Sequence, residues 1–322
     1  MSKMKAIVQE RYGLPDVLEV RDVDVPNPEA DQLRIEVRAS SLNMYDWHMS
    51  TGTPYLARMG ALRTPPSPGA DVAGIVDAVA SEVSGFAPGD EVFGLIPAGA
   101  FAQYALGRGR NIVRKPENVS FGQAAATPLA GLTALEGLRD VGGLEAGQRV
   151  LVNGASGGVG TFAVQIAKAL GAEVTAVCST TKVDMARSIG ADRVIDYTGD
   201  DFVETERGYD LLLDNVGDRP WSETRRVLTA EGTNVTVTGP KHSWLGPFRA
   251  MIYRQLVSSF GSQSFKWFVS RPKQEDLEFL AGLLASGDVV PVIENTYPLE
   301  KTAEAMRYLG EGHVLGKLVI TP

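Results

Sequence analysis

The sequence predicts a two-domain α/β protein, in which a β-rich unit accompanies a doubly wound parallel sheet covered by helices. Three observations carry this. Up to about Phe121, short strand-like runs are broken by frequent Gly and Pro; beyond it, strands rich in Val, Leu and Ile alternate with helical stretches. The run from Arg149 to Gly160 (RVLVNGASGGVG) then joins an apolar strand to a helix through a glycine-rich turn. Short, closely spaced strands suit a compact all-β or partly open barrel unit. Alternation with helices gives a parallel sheet buried on both faces.

In the first unit the strand-like runs are Lys5–Gln9, Leu33–Ala39, Asp71–Val79 and Asp90–Gly94, punctuated by Gly13, Pro15, Pro26, Pro28, Pro65, Pro66, Pro68, Gly69, Pro88 and Gly89. Gln123–Leu138 has helical spacing. Strands follow at Arg149–Asn153, Glu173–Cys178, Arg193–Asp196, Tyr209–Asn215 and Thr233–Thr238, with helices at Thr161–Leu170, Thr181–Ile189 and Trp221–Leu228 between them. In the tail, Lys273–Ala285 and Leu299–Gly310 read as helices, Val289–Tyr297 as extended and Lys317–Ile320 as a strand. That last strand is expected to return to the β-rich unit, so residues 1–124 and 272–322 form one domain and 125–271 the other.

The 322 residues are enough for two cores, and 44% hydrophobic with 22% charged content is ordinary for a globular chain. A net charge of −8 excludes non-specific nucleic-acid binding, which needs a basic surface. Met1–Glu10 lacks the apolar core of a signal peptide, and no apolar run spans a bilayer, so a cytoplasmic location is expected. The one cysteine, Cys178, rules out an internal disulfide and is read as a buried thiol at a strand end.

The glycine turn suits a dinucleotide. Glycines let the backbone approach a pyrophosphate, and the following helix offers free N–H groups and a positive dipole end. Ala155 stands at the first glycine position, with Gly157 and Gly160 in register, so Ser156, Gly157, Gly158 and Val159 are expected to line the cofactor. NAD sites usually place an acid at the end of the second strand; here Ser179 and Lys182 stand in that stretch. A hydroxyl and an ammonium suit a 2′-phosphate, so the cofactor is expected to be NADPH. The same residues also suit a cap for the helix near Thr181. Tyr197, past the third strand, joins the cofactor set, and the strand-end turns Asn215–Val216 and Thr238–Gly239 are expected at the nicotinamide half. For the glycines of those turns, backbone geometry alone is an equal reading.

Four segments give the chain a family resemblance: Ser41–Asp46 (SLNMYD), Gly69–Gly74 (GADVAG) through Phe86–Gly94 (FAPGDEVFG), Pro128–Ala134 (PLAGLTA) and the AxGxxG turn, with Gly312–Lys317 (GHVLGK) in support. They span the chain and resemble the zinc-free quinone oxidoreductase branch of the medium-chain dehydrogenase/reductase superfamily. The resemblance implies a GroES-like catalytic domain, a Rossmann NADPH-binding domain, a cleft between them and a homodimer. It also places Thr133 facing the nicotinamide, Asn43 at the nicotinamide end and Lys317 near the cofactor. Val269–Ser270 join Thr133 and Asn215 as the expected nicotinamide contacts.

Zinc-dependent members carry cysteine where this chain has Asn43, histidine where it has Ala70 and a further cysteine near Leu129, and His48, His242 and His313 lie in unrelated segments. No metal is therefore expected. Without a Lewis acid, reduction of acceptors that are already electrophilic is favoured: quinones and α,β-unsaturated carbonyls. Asn43, Tyr45 and His48 are the candidate catalytic residues. His48 falls at the place of the proton-relay histidine of the zinc enzymes; Tyr45 either donates to the acceptor oxygen or stacks on its ring; Asp46 is read as orienting the loop. The aromatic and basic segment Trp244–Leu256, continuing to Phe265–Phe268, is read as a hydrophobic lid rather than a membrane helix. An alkenal or 2-enoyl thioester reductase, or a non-catalytic NADPH sensor, are the alternatives.

Overall fold

The computed structural model describes residues 2–53, 67–237 and 261–322, so Thr238, Gly239, His242 and the segment from Trp244 to Leu256 lie outside the described residues. Two units separate: Met1–Leu132 with Pro272–Gly287 and Pro291–Pro322, and Thr133–Arg271 with Asp288–Val290. The changeover falls inside a helix. Phe121–Ala126 (α2) packs on the first unit's main sheet, and Gly131 in Pro128–Leu135 (α3) lies close against Leu280. The excursion at 288–290 belongs to the second unit because Gln165 brackets Val290, accepting from its N–H (2.8 Å) and donating to its carbonyl (3.2 Å).

The first unit holds β1 (Lys3–Val8), β2 (Glu19–Asp24), β3 (Gln32–Leu42), α1 (Met44–Thr51), β4 (Asp71–Val79), β5 (Glu91–Leu95), β6 (Tyr104–Arg108) and β7 (Ile112–Arg114) ahead of α2. β1 and β2 pair antiparallel as a small ribbon. The main sheet runs β14 (Ile293–Pro298), β15 (Lys317–Thr321), β3, β4, β5, β7, with β6 on β3. Leu318–Ile320 pair antiparallel with Ser40–Leu42, so the closing strand returns to this unit. One core gathers Leu33, Ile35, Val72, Val92 and Ile112; another gathers Ile7, Leu42, Phe101, Met306 and Leu318.

The second unit holds β8 (Arg149–Asn153), α4 (Gly158–Ala169), β9 (Glu173–Cys178), α5 (Val183–Ser188), β10 (Arg193–Asp196), α6 (Phe202–Thr205), β11 (Tyr209–Asp214), α7 (Trp221–Thr224), β12 (Leu228–Thr236) and β13 (Ser264–Trp267). All six strands are parallel, in the order β10-β9-β8-β11-β12-β13. The strand order therefore reverses between β8 and β11, the switch point where doubly wound sheets bind ligands at their carboxyl ends. The tail carries two helices, α8 (Gln274–Ser286) and α9 (Thr302–Glu311), both in the first unit.

Some expectations are corrected. Phe265–Phe268, read as a lid continuation, begins as the sixth strand, because Phe265 is buried against Trp221 (ring centroids 6.0 Å apart) and the chain alternates in and out. Asn43–His48, read as a loop, is mostly helix. The Asp46 carboxylate accepts the Asn43 N–H, half of a capping box, and Gly52 ends the helix at φ +64. Gln123–Leu138 is two helices and then a π-helical turn at Glu136–Val141.

Candidate active site

In the second unit the glycine turn forms at the switch point. Gly154 takes the positive φ (+74) at the end of β8, so the next position can be the buried Ala155. A Cβ on Gly160 would stand 2.1 Å from the Gly154 carbonyl, so the first turn of α4 rests directly on the loop. A Cβ on Gly157 would meet only that carbonyl, at 3.7 Å, so the outer side of Gly157 is open. Ser156–Val159 are half-exposed at this helix N-terminus.

Asn215 and Val216 are brought beside the turn. Asn215 donates from its N–H and from Nδ2 to the Asn153 carbonyl (3.1 and 3.0 Å), and Val216 Cγ2 lies against Gly154. The buried Asp214 carboxylate shapes this corner, accepting from Asn153 Nδ2, Val216 N and Gly217 N at 2.9–3.1 Å. Burial pushes its pKa up despite those donors. At the end of β9, Ser179 is half-buried and its hydroxyl caps nothing, so the capping alternative is not used by its side chain. Tyr197 N bonds the Cys178 carbonyl (3.1 Å), which sets the exposed Tyr197 beside Ser179. Cys178 itself is buried, with its thiol pKa raised by burial. Thr133 is half-exposed on a helix whose neighbours Leu132, Ala134 and Leu135 are buried.

In the first unit Asn43 and Lys317 are brought together around an acid the sequence reading missed. Asp71, fully buried, accepts from Ser41 Oγ (2.6 Å), Asn43 Nδ2 (2.8 Å) and Leu129 N (2.9 Å). The Lys317 ammonium, 2% exposed, donates to the Leu42 carbonyl (3.1 Å) and Asn43 Oδ1 (2.5 Å), with Asp71 Oδ2 at 3.5 Å. Burial lowers the Lys317 pKa, and Asp71 and Asp46 oppose the shift. Expected near the cofactor, Lys317 thus commits its charge to this cluster. The buried Asp46 carboxylate accepts from Asn43 N (2.9 Å) and Gly69 N (3.0 Å), an orienting role as expected. Trp47, packed on Gly310 of α9, seats the helix from its other side. Tyr45 is 43% exposed, and His48 Nδ1 lies 2.6 Å from the Thr53 carbonyl.

Residues 29–117 match a family model described as alcohol dehydrogenase GroES-like domain, and 189–320 one described as zinc-binding dehydrogenase. A chloroplast envelope quinone oxidoreductase homolog of Arabidopsis thaliana is 34% identical over 99% of this chain and 98% of its own. The chain belongs to the medium-chain dehydrogenase/reductase superfamily, in its quinone oxidoreductase-like branch. An NADPH-dependent alkenal/one oxidoreductase of the same plant is 33% identical over 99% of this chain and 80% of its own. The solved quinone oxidoreductase of Coxiella burnetii superposes with TM-score 0.89 at 29% identity, covering all of both chains. The protein is an oxidoreductase of this branch, with a GroES-like unit and a Rossmann-like parallel sheet.

In this oxidoreductase two of the three catalytic candidates, Tyr45 and His48, have opposite capacities near neutrality. Burial, and secondarily Asp46, raise the Tyr45 pKa, so its hydroxyl stays a donor. Burial lowers the His48 pKa, and with Nδ1–H given to the Thr53 carbonyl the neutral ring offers Nε2 as an acceptor. Asp46 titrates near neutrality: burial and the neighbouring Asp71 charge push it from 3.8 to about 7. The unfolded chain loses this proton near pH 3.8 while the folded one keeps it to about pH 7, so stability falls as pH rises through that window. Asp46→Asn is expected to flatten this fall. Urea midpoints from pH 4 to 8 check it, and an unchanged slope would refute the assignment. Among the described residues no helix is long and apolar enough to cross a membrane.

Proposed function

We propose that this oxidoreductase is a zinc-independent, NADPH-dependent reductase of quinones or α,β-unsaturated carbonyls. The observation that carries the reading is a glycine cradle open at Gly157 on the same sheet edge as a second-strand end bearing Ser179 and Lys182 instead of a carboxylate. Ser156–Val159 would hold the pyrophosphate, Ser179, Lys182 and Tyr197 the 2′-phosphate and adenosine, and Thr133, Asn215, Val216 and Val269–Ser270 the nicotinamide half. The reading also includes Thr238–Gly239, outside the described residues. When bound, NADPH supplies a hydride. The chain's part is to orient the cofactor and to stabilise the oxygen of the acceptor as it gains charge.

Tyr45 is the hydroxyl donor for that oxygen, and Asn43 anchors the start of α1 that carries it. His48, neutral and with Nδ1–H on the Thr53 carbonyl, offers Nε2 as an acceptor and is not the proton donor at neutral pH. Zinc independence is supported by the side chains at the ligand positions, since Asn43, Ala70 and Leu129 offer no thiolate or imidazole, and an ammonium already lies against Asn43. Relatives named for quinone and alkenal/one acceptors support the substrate class. A homodimer in the cytoplasm completes the reading, carried by the family resemblance and the acidic charge.

Following nicotinamide absorbance with a panel of quinones, enones, enoyl thioesters and aldehydes tests the activity. Turnover of quinones or enones is expected, and tight NADPH binding with none would replace the enzyme by a sensor. Lys182→Ala is expected to weaken NADPH about tenfold and leave NADH unchanged, the loss of one charge-assisted contact. Equal affinities for the two cofactors, indifferent to this substitution, would sink the 2′-phosphate assignment. Tyr45→Phe is expected to cost enone turnover about tenfold to a hundredfold, and more than His48→Phe at pH 8.

A further inference from the structure

After β13 the chain is tied to the π-helical turn by alternate residues. Lys266 Nζ donates to the Val141 carbonyl (2.8 Å), the Phe268 ring lies over Gly137, where a Cβ would stand 3.4 Å from it, and Ser270 Oγ donates to Glu136 Oε1 (3.0 Å). Arg271 N donates to the two Glu136 oxygens at 3.2 and 3.1 Å. The widened turn, with Gly142 N bonded to the Gly137 carbonyl, lets Glu136, Gly137 and Val141 all receive one extended segment. Strand alternation then sends the intervening side chains outward: Trp267 is 37% and Val269 74% exposed.

Because β13 runs parallel to β12, this segment leaves the same carboxyl edge that bears the glycine turn and Asn215. Thr133 stands three residues before Glu136, on the same face of the helix. Glu136 is 8% exposed and lies between the fully buried Leu135 and Leu138, a costly place for a carboxylate unless its donors are fixed.

We propose that Glu136 is a positioning residue for the cofactor: its buried carboxylate clamps Ser270 and the Arg271 N–H, holding Val269 outward as a preformed wall for the nicotinamide ring. This rests on the reading that the unit binds NADPH. A wall held in advance needs no ordering when the ring arrives, so its loss weakens ring binding alone.

Titrating NADPH and 2′-phospho-ADP-ribose, which lacks only the nicotinamide, tests the clamp. Glu136→Leu is expected to weaken NADPH about tenfold while 2′-phospho-ADP-ribose changes less than about twofold. Glu136→Gln keeps an acceptor oxygen and is expected to return NADPH to within about threefold of the parent. Equal losses on both ligands, or unchanged NADPH affinity in Glu136→Leu, would overturn the proposal. Should Glu136→Leu not fold, Ser270→Ala removes only the hydroxyl donor and must show the same selective loss; an unchanged ratio there overturns it too. An unsubstituted chain that binds neither ligand would instead refute the functional reading.

Discussion

Replacing Lys317 by methionine is expected to destabilise the first unit by about 3–5 kcal/mol, because it strands the Asp71 charge in a site without solvent. Methionine keeps most of the volume, so the loss is electrostatic rather than a cavity. Ser41 Oγ, Asn43 Nδ2 and Leu129 N still reach Asp71, but neutral donors do not cancel a buried charge. The Asn43 amide also loses the ammonium on its oxygen while its nitrogen remains on Asp71, so the Asn43 side chain is held at one end only. Lys317→Met combined with Asp71→Asn removes both charges and is expected to lose much less than the two single changes added together. Urea midpoints of the four proteins measure the coupling. Strict additivity would mean that the pair does not act as one, and a Lys317→Met midpoint equal to the parent's would show that the charge is dispensable. If Lys317 instead touched the cofactor, Lys317→Met would weaken NADPH binding without this coupling to Asp71.

The parallel sheet was the most legible part of the chain, for a physical reason. Strands buried on both faces must be largely apolar, and Arg149–Asn153 and Glu173–Cys178 appear at the very bounds their composition suggests, as does the less buried edge strand Arg193–Asp196. β2 was not legible, since Glu19–Asp24 pairs only with β1 and leaves charged residues in solvent. α1 was hidden because four polar or aromatic residues in a row give no apolar period, and its cap depends on Asp46 reaching Gly69 as well as Asn43. Lys317 illustrates the main limit. Lysine is normally exposed, and the partners that bury it are brought in by β3 and β4 from the other end of the chain. Asp71 gives no signal of its own in the sequence, where it is one residue of the Gly69–Gly74 run and stands far from Lys317. Glu136 left a weak trace, a lone acid between Leu135 and Leu138, that spacing alone could not turn into a role. The carboxyl edge of the parallel sheet could be anticipated because its residues follow their own strands; the polar cluster could not, because its members meet only after folding.

The two glycines of the turn should separate folding from binding when each is replaced by alanine. Gly160→Ala places a methyl 2.1 Å from the Gly154 carbonyl and 2.7 Å from the Ala155 backbone, with no flexible side chain to give way. α4 must shift off the loop, and a loss of about 3 kcal/mol or more in stability is expected, at the upper end for overpacking. Gly157→Ala meets only a carbonyl at 3.7 Å, and its φ of −82 is open to any L-residue. Its stability is therefore expected to stay within about 0.5 kcal/mol of the parent. Yet that methyl projects into the space where a pyrophosphate must approach the backbone, so NADPH affinity is expected to fall at least about tenfold, some 1.4 kcal/mol. Thermal melting without ligand and fluorescence titration with NADPH read the two quantities independently. A Gly157→Ala protein that binds NADPH like the parent would show that the phosphates do not lie against this turn. One that melts far below the parent would show that the space beside Gly157 is taken up in packing, and that the opening is not a ligand cradle. A stable chain with impaired binding is the outcome that ties the open side of Gly157 to the cofactor, because nothing in the ligand-free packing would be disturbed.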